Sequence, residues 1–144
     1  VRRLLELVLL GFTMFRDLIL SNKKRQTIRK LRKRPIMVGD RLHLYWKLRT
    51  KECRKLGEAI CTETFFIGIA RGFDNEDFEV FRFNGVPREA SQCQRLSLEQ
   101  VSELALLDGF RLASEMVACL SKMHNILSAH REMFQVVRWG RLKK

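Results

Sequence analysis

No apolar run in this 144-residue chain approaches the ~20 residues that a membrane-spanning helix requires. Close metal-ligand or dithiol spacings are missing too. Cys53, Cys61, Cys93 and Cys119 are far apart in sequence, and His43, His124 and His130 are scattered. Neither a metal nor any other cofactor is therefore expected. A domain of this size does not need disulfides, so the cysteines are read as reduced thiols, with Cys119 on the apolar side of a helical pattern and Cys53 among charges. Arg2-Arg3 followed by Leu4 to Leu10 has the outline of a secretory leader, but Glu6 interrupts it and Gly11-Phe12-Thr13-Met14-Phe15 lacks a small-residue cleavage site. A soluble, cytoplasmic protein is expected. There is no internal repeat, and acidic residues are absent from one whole stretch, Lys23 to Arg34.

That stretch is the most informative part of the chain. Eight of its twelve residues are cationic, so it carries +8 of a formal net charge of +12. Charge this concentrated points to a polyanion or anion site rather than to a generally basic surface. The uncharged Gln26-Thr27-Ile28 lies between two basic clusters, and its β-branched pair favours an extended segment that presents a hydroxyl and an amide among cations. An apolar helical stripe is lacking, which disfavours a membrane-surface role and leaves RNA or a nucleotide as the expected partner. With 46% hydrophobic residues and ten Phe, the chain fits one domain over residues 1–144.

Periodicity supplies the elements. Leu7 to Phe12 reads as a buried strand, followed by a short helix capped by Thr13 that carries Met14, Phe15, Leu18 and Ile19 and ends at Ser21-Asn22. After the turn signal Gly39-Asp40, Leu42, Leu44, Trp46 and Leu48 alternate with His43, Tyr45, Lys47 and Arg49, which predicts a strand with one aliphatic and one polar face. Further strands are expected at Gly57–Thr64, Phe78–Phe83 and Met133–Trp139, and a loop over Gly68–Asp77. Ser97 with Gln100 forms a capping-box pattern ahead of a helix interrupted at Asp108-Gly109. A second helix follows, with Leu112, Met116, Leu120, Met123 and Leu127 on one side. Strands around two or three helices, without regular strand-helix alternation, predict an α+β fold with a small sheet or barrel.

Taken in order, these pieces resemble the ASCH domain, a member of the superfamily built on the PUA-like RNA-binding β-barrel. Asn22-Lys23-Lys24-Arg25-Gln26-Thr27-Ile28-Arg29 is similar to the family's GxKxxTIR element, and Val38-Gly39-Asp40-Arg41-Leu42 to its xGDxL turn and strand. Arg49, Cys53, Lys55 to Ala59, Leu107-Asp108-Gly109-Phe110 and Phe134 to Val137 extend the resemblance over most of the chain. Asn22 replaces the family's usual Gly, and Asn tolerates positive φ better than most residues. The resemblance implies a PUA-like barrel of about five or six strands with helices packed outside and a cleft that holds RNA or a nucleotide-like ligand. A bacterial subgroup of the family consists of amidohydrolases that deacylate acetylcytidine with a Lys, a Thr three residues later and a distant Glu. By position these are Lys24, Thr27 and, one methylene shorter, Asp108.

Two functional readings follow. In the first, Lys23, Lys24, Arg25, Gln26, Thr27, Arg29, Lys30 and Arg32, with Lys33 and Arg34, track an RNA backbone while Tyr45 or Trp46 stacks a base. In the second, Thr27 attacks an amide carbonyl, Lys24 acts as base, Asp108 orients or shuttles a proton and Arg29 stabilises the oxyanion. The basic run is longer than one nucleoside needs, which ranks RNA binding first. A plainer arrangement uses the same residues, with Lys24 and Arg29 holding a phosphate and Thr27 satisfying a strand end.

Overall fold

A computed structural model describes residues 7–71, 78–87, 92–124 and 132–144. Over these residues the chain is α+β, with seven strands in one mixed sheet and three helices. The strands are β1 (Leu7–Phe12), β2 (Gln26–Lys30), β3 (Arg41–Trp46), β4 (Arg54–Arg71), β5 (Phe78–Phe83), β6 (Cys93–Arg95) and β7 (Glu132–Trp139). The helices are α1 (Arg16–Leu20), α2 (Leu98–Asp108) and α3 (Ala113–His124). None of them is long and apolar enough to cross a membrane.

The 18-residue β4 organises the sheet. Its first half pairs with β3, and its second half is flanked by β5 and β7. The change of partners is made at two irregularities, one between Leu44 and Tyr45 opposite Gly57 and one between Cys61 and Glu63. Gly57 is required at the first. Its φ is +156°, and a Cβ there would lie 2.7 Å from both Leu142 Cγ and the Lys143 carbonyl oxygen. β1 pairs with β3 in parallel, β2 pairs with β7, and β6 extends β5. Among the described residues β1, β2 and β6 each pair on one side only, so the sheet they form is open and has seven strands rather than the five or six expected.

Two apolar clusters lie on opposite faces of this sheet, and β7 serves both because successive strand residues point opposite ways. Phe134 and Val136 enter the cluster under α2 and α3, with Ile67, Ile69, Leu104 and Met116. Val137 and Trp139 enter the other, with Leu10, Leu42, Leu44 and Ile19. Burying each large apolar side chain contributes roughly 1.5–3 kcal/mol.

Several expectations are corrected by this packing. Leu7 and Leu9 are exposed, because β1 is an edge strand covered on one face only. Thr13 does not cap α1; Phe15 precedes the helix at φ 64° without a side-chain cap, and its ring stands edge-on to Phe110 at 5.0 Å. β3 ends at Trp46 because Lys47 and Arg49 turn through positive φ, which leaves Leu48 half-buried over Gly11 instead of in line with Leu42 and Leu44. β4 runs through Gly68 to Arg71, where pairing on both sides outweighs the glycine, and the rest of that expected loop, 72–77, lies outside the described residues. On α3 the buried stripe is Met116, Val117 and Leu120, while Leu112 and Met123 are exposed and Leu127 lies outside the described residues. The short β6 was not anticipated.

Candidate functional site

The gap between β1 and β2 is crossed by arginine side chains instead of a backbone ladder. Leu9 and Gly11 turn their carbonyls to the unpaired edge of β1, where Arg32 Nη2 donates to Leu9 at 3.4 Å and Arg29 Nη2 to Gly11 at 2.5 Å. Beside this seam lies a cavity of about 160 Å³, bounded by β1 and the residues after it, by Lys24 and β2, by Asp108 and Phe110, and by the outer face of α3.

Lys24 reaches the cavity through a tight turn. Asn22 has φ 62°, and the amides of Lys23 and Lys24 both donate to the Leu18 carbonyl at 2.9 Å, which swings the Lys24 side chain inward until only 3% of it is exposed. Its ammonium donates to the main-chain carbonyl of Asp108 and lies 3.4 Å from that residue's Oδ2, with the Phe15 ring 5.3 Å away. Asp108 is the last residue of α2, which Gly109 ends at φ 109°. Lys24 thus places a cation at the negative end of a helix that has no basic residue in its own last turn.

β2 continues the arrangement. Gln26, 1% exposed, donates to the Leu104 carbonyl at 3.1 Å and to Asp108 Oδ1 at 3.2 Å, and accepts from Arg138 Nε at 3.0 Å. Thr27 Oγ1 accepts from Arg29 Nε at 3.0 Å, and the Arg29 guanidinium lies over Phe12 at 4.7 Å. Among the described residues Thr27 makes no hydrogen bond with Lys24.

Burial sets the electrostatics. It pushes the Lys24 ammonium below its ordinary value and the Asp108 carboxyl above its own, with each partner's charge opposing the other's shift. Burial also lowers the Arg29 guanidinium to about 10, which leaves it charged at neutral pH. His124, on the cavity wall with its ring edge-on to Phe134 at 5.2 Å, is pushed down by burial and then by Lys30. Titratable groups displaced by burial beside a hydroxyl and a cavity make this seam the candidate site, although a buried structural ion pair shifts in the same way.

Of the residues singled out in the sequence, Lys24, Thr27, Arg29, Lys30 and Asp108 line this cavity together. Lys23 and Arg25 are exposed and border a separate hollow with Arg138, and Arg32, Lys33 and Arg34 are exposed beyond β2. Gln26 lies at the buried base of that hollow, with its amide engaged by α2 and Arg138. Tyr45, half-buried on β3 opposite Gly11, does not line the cavity, and Trp46 is half-buried against the core. The sequence reading missed Phe12, Phe15, Phe110 and His124, since an aromatic at helical or strand spacing reads as core. Comparison of the chain with protein-family models, with curated proteins and with solved structures finds no match.

Proposed function

We propose that this chain is an ASCH-type, PUA-like domain that binds single-stranded RNA, seating one base in the cavity at the seam while the basic segment holds the backbone outside. The observation that carries this reading is the junction of a small, largely apolar cavity, into which Lys24, Thr27, Arg29 and Asp108 bring polar groups, with a cationic margin. At about 160 Å³ the cavity is well below the ~300–1,000 Å³ of sites that enclose a whole small-molecule ligand. It suits part of a ligand whose remainder lies on the surface, where Arg25, Lys30, Arg32 and Lys33 are exposed. Phe12 and Phe15 supply apolar rings, and Asp108, Thr27 and the Arg29 guanidinium supply acceptors and donors for a base edge or a 2′-hydroxyl.

The test is fluorescence anisotropy with a labelled single-stranded RNA. Affinity is expected to fall steeply between about 50 mM and 200 mM salt, through counterion release. Charge reversal at Arg25, Lys30 and Lys33 should weaken binding and flatten that slope. Arg29 and Arg32 are unsuitable for this purpose, because their guanidinium groups hold Thr27 and the β1 carbonyls of Gly11 and Leu9. Binding that is undetectable at low salt, or indifferent to the three reversals, rejects the proposal.

The meeting of Lys24, Thr27 and Asp108 at one cavity favours a second reading, hydrolysis of acetylcytidine to cytidine and acetate with Thr27 as nucleophile. Its difficulty is that the Lys24 ammonium is engaged by Asp108 and the Thr27 oxygen by Arg29, so the base and the nucleophile are not joined. Incubation with acetylcytidine is expected to yield no cytidine. Release of cytidine that Thr27→Val abolishes would move the assignment to the hydrolase.

A further inference from the structure

On the wall of the cavity formed by α3, the Cys119 thiol stands against two thioethers that neither functional reading uses. Cys119 Sγ lies 3.9 Å from Met14 Sδ and 3.8 Å from Met123 Sδ. Met14 follows β1 and Met123 lies four residues beyond Cys119 on α3, so the contacts join two separate parts of the chain. Both methionines are largely outside the core, 43% and 65% exposed, so their sulfurs are not simply filling interior space. A thiol carries one proton and can direct it at one thioether; a metal ion in its place bonds to both.

We propose that Cys119, Met14 and Met123 form a site for a soft monovalent cation, Cu(I). The spacing fits. With a metal–sulfur bond of about 2.3 Å, neighbouring sulfurs stand about 3.8 Å apart in a tetrahedral arrangement and about 4.0 Å apart in a trigonal plane. The two observed separations therefore need little adjustment. Thiolate and thioether are the ligands that select Cu(I) over harder ions. Charge points the same way. The thiol loses its proton to solvent as the Cu(I)–sulfur bond forms, so thiolate and cation sum to zero, and a cavity already bordered by Lys24, Arg29 and Lys30 receives no added positive charge. A divalent ion would leave a net charge beside those cations. Among the described residues no group of three His, Cys, Asp or Glu side chains converges as a harder ion prefers. His124 lines the same cavity and adds an imidazole to its wall. The site is independent of the RNA reading, since it rests on sulfur positions alone.

The experiment titrates the reduced protein with Cu(I), kept reduced by ascorbate and buffered by bicinchoninate, and compares wild type with Cys119→Ser and with the double variant Met14→Leu/Met123→Leu. One tightly held Cu(I) per chain is expected, lost in Cys119→Ser. Partners that do not touch a metal are themselves worth about 10–100-fold in its affinity, so removing both thioethers should weaken binding by at least about tenfold. The double variant is the decisive arm, because any accessible thiol binds Cu(I) to some degree. If it binds as tightly as wild type, Cys119 acts as a lone thiol and the proposal is overturned; wild-type affinity in Cys119→Ser overturns it as well. Methionine methyl NMR gives a second readout among the five methionines. The Met14 and Met123 methyl signals should move on addition of Cu(I) while that of Met37, also exposed, stays in place. Equal movement of Met37, or no movement of the pair, counts against the site.

Discussion

Lys24 serves α2 before it serves any ligand: its ammonium answers the carbonyl and carboxylate of Asp108 at the helix end, and burial charges both partners for being ionised. The consequence for stability has a definite sign. Because the folded chain releases the Lys24 proton below the ordinary 10.5, the unfolded chain binds more protons between that lowered value and pH 10.5, and stability rises with pH across this window. Lys24→Met should remove the rise, as followed by urea denaturation from neutral pH to pH 10.5. Equal pH dependence in the two proteins would refute it. Asp108 acts oppositely at the acid end: its raised value makes the folded chain bind the proton more tightly, so stability falls as pH climbs from 3.8 through that value. The pairing explains what was legible at this scale. Lys24 and Thr27 could be read from a local motif, whereas the engagement of Lys24 by Asp108 joins residues 84 positions apart.

Elements in this fold are secured by buried amides as well as by ladders. Gln135, 1% exposed on β7, donates to the Ile36 carbonyl at 2.6 Å and to Thr64 Oγ1 at 2.7 Å, and accepts from the Ile36 amide at 3.1 Å. It thereby pins the crossover between β2 and β3 to the sheet. Gln135→Leu keeps the apolar bulk and leaves both main-chain groups of Ile36 without these partners, which should cost about 1–3 kcal/mol for each group left unsatisfied. Urea denaturation measures it, and a loss below about 0.5 kcal/mol, the scale of an ordinary surface change, would reject the pinning role. The two ends of α2 make a useful contrast. Its start was legible, since Ser97 and Gln100 cap each other within four residues, at 2.8 and 3.2 Å. Its final turn is held by Lys24, from the turn before β2, and by Gln26 of β2, which no local pattern reveals.

At the scale of the molecule, the two apolar clusters share β7, with alternate residues of one strand in each. Such a shared wall predicts a single cooperative unfolding transition, in keeping with the one domain expected from length and composition. Leu44→Ala in one cluster and Met116→Ala in the other should each cost about 2–5 kcal/mol and shift the same transition. Two separable transitions, each answering to one substitution, would show that the clusters unfold as independent units.

By itself the sequence determined the α+β class, the strands at Leu7–Phe12, Phe78–Phe83 and the closing segment, the capped start of α2, and the extended Gln26-Thr27-Ile28 between basic clusters. Each of these depends on side-chain alternation, a cap or a turn residue, all of which act over a few positions. Tertiary structure decided the rest. Whether β1 and β2 pair depends on what lies between them, and there Arg29 and Arg32 reach the β1 carbonyls where a ladder would otherwise run. The cavity at this seam, the burial that displaces Lys24 and Asp108, and the meeting of Met14 with Cys119 across 105 positions all follow from how the chain closes on itself. Those contacts have no local signature, because the residues that make them are chosen for a neighbour distant in sequence.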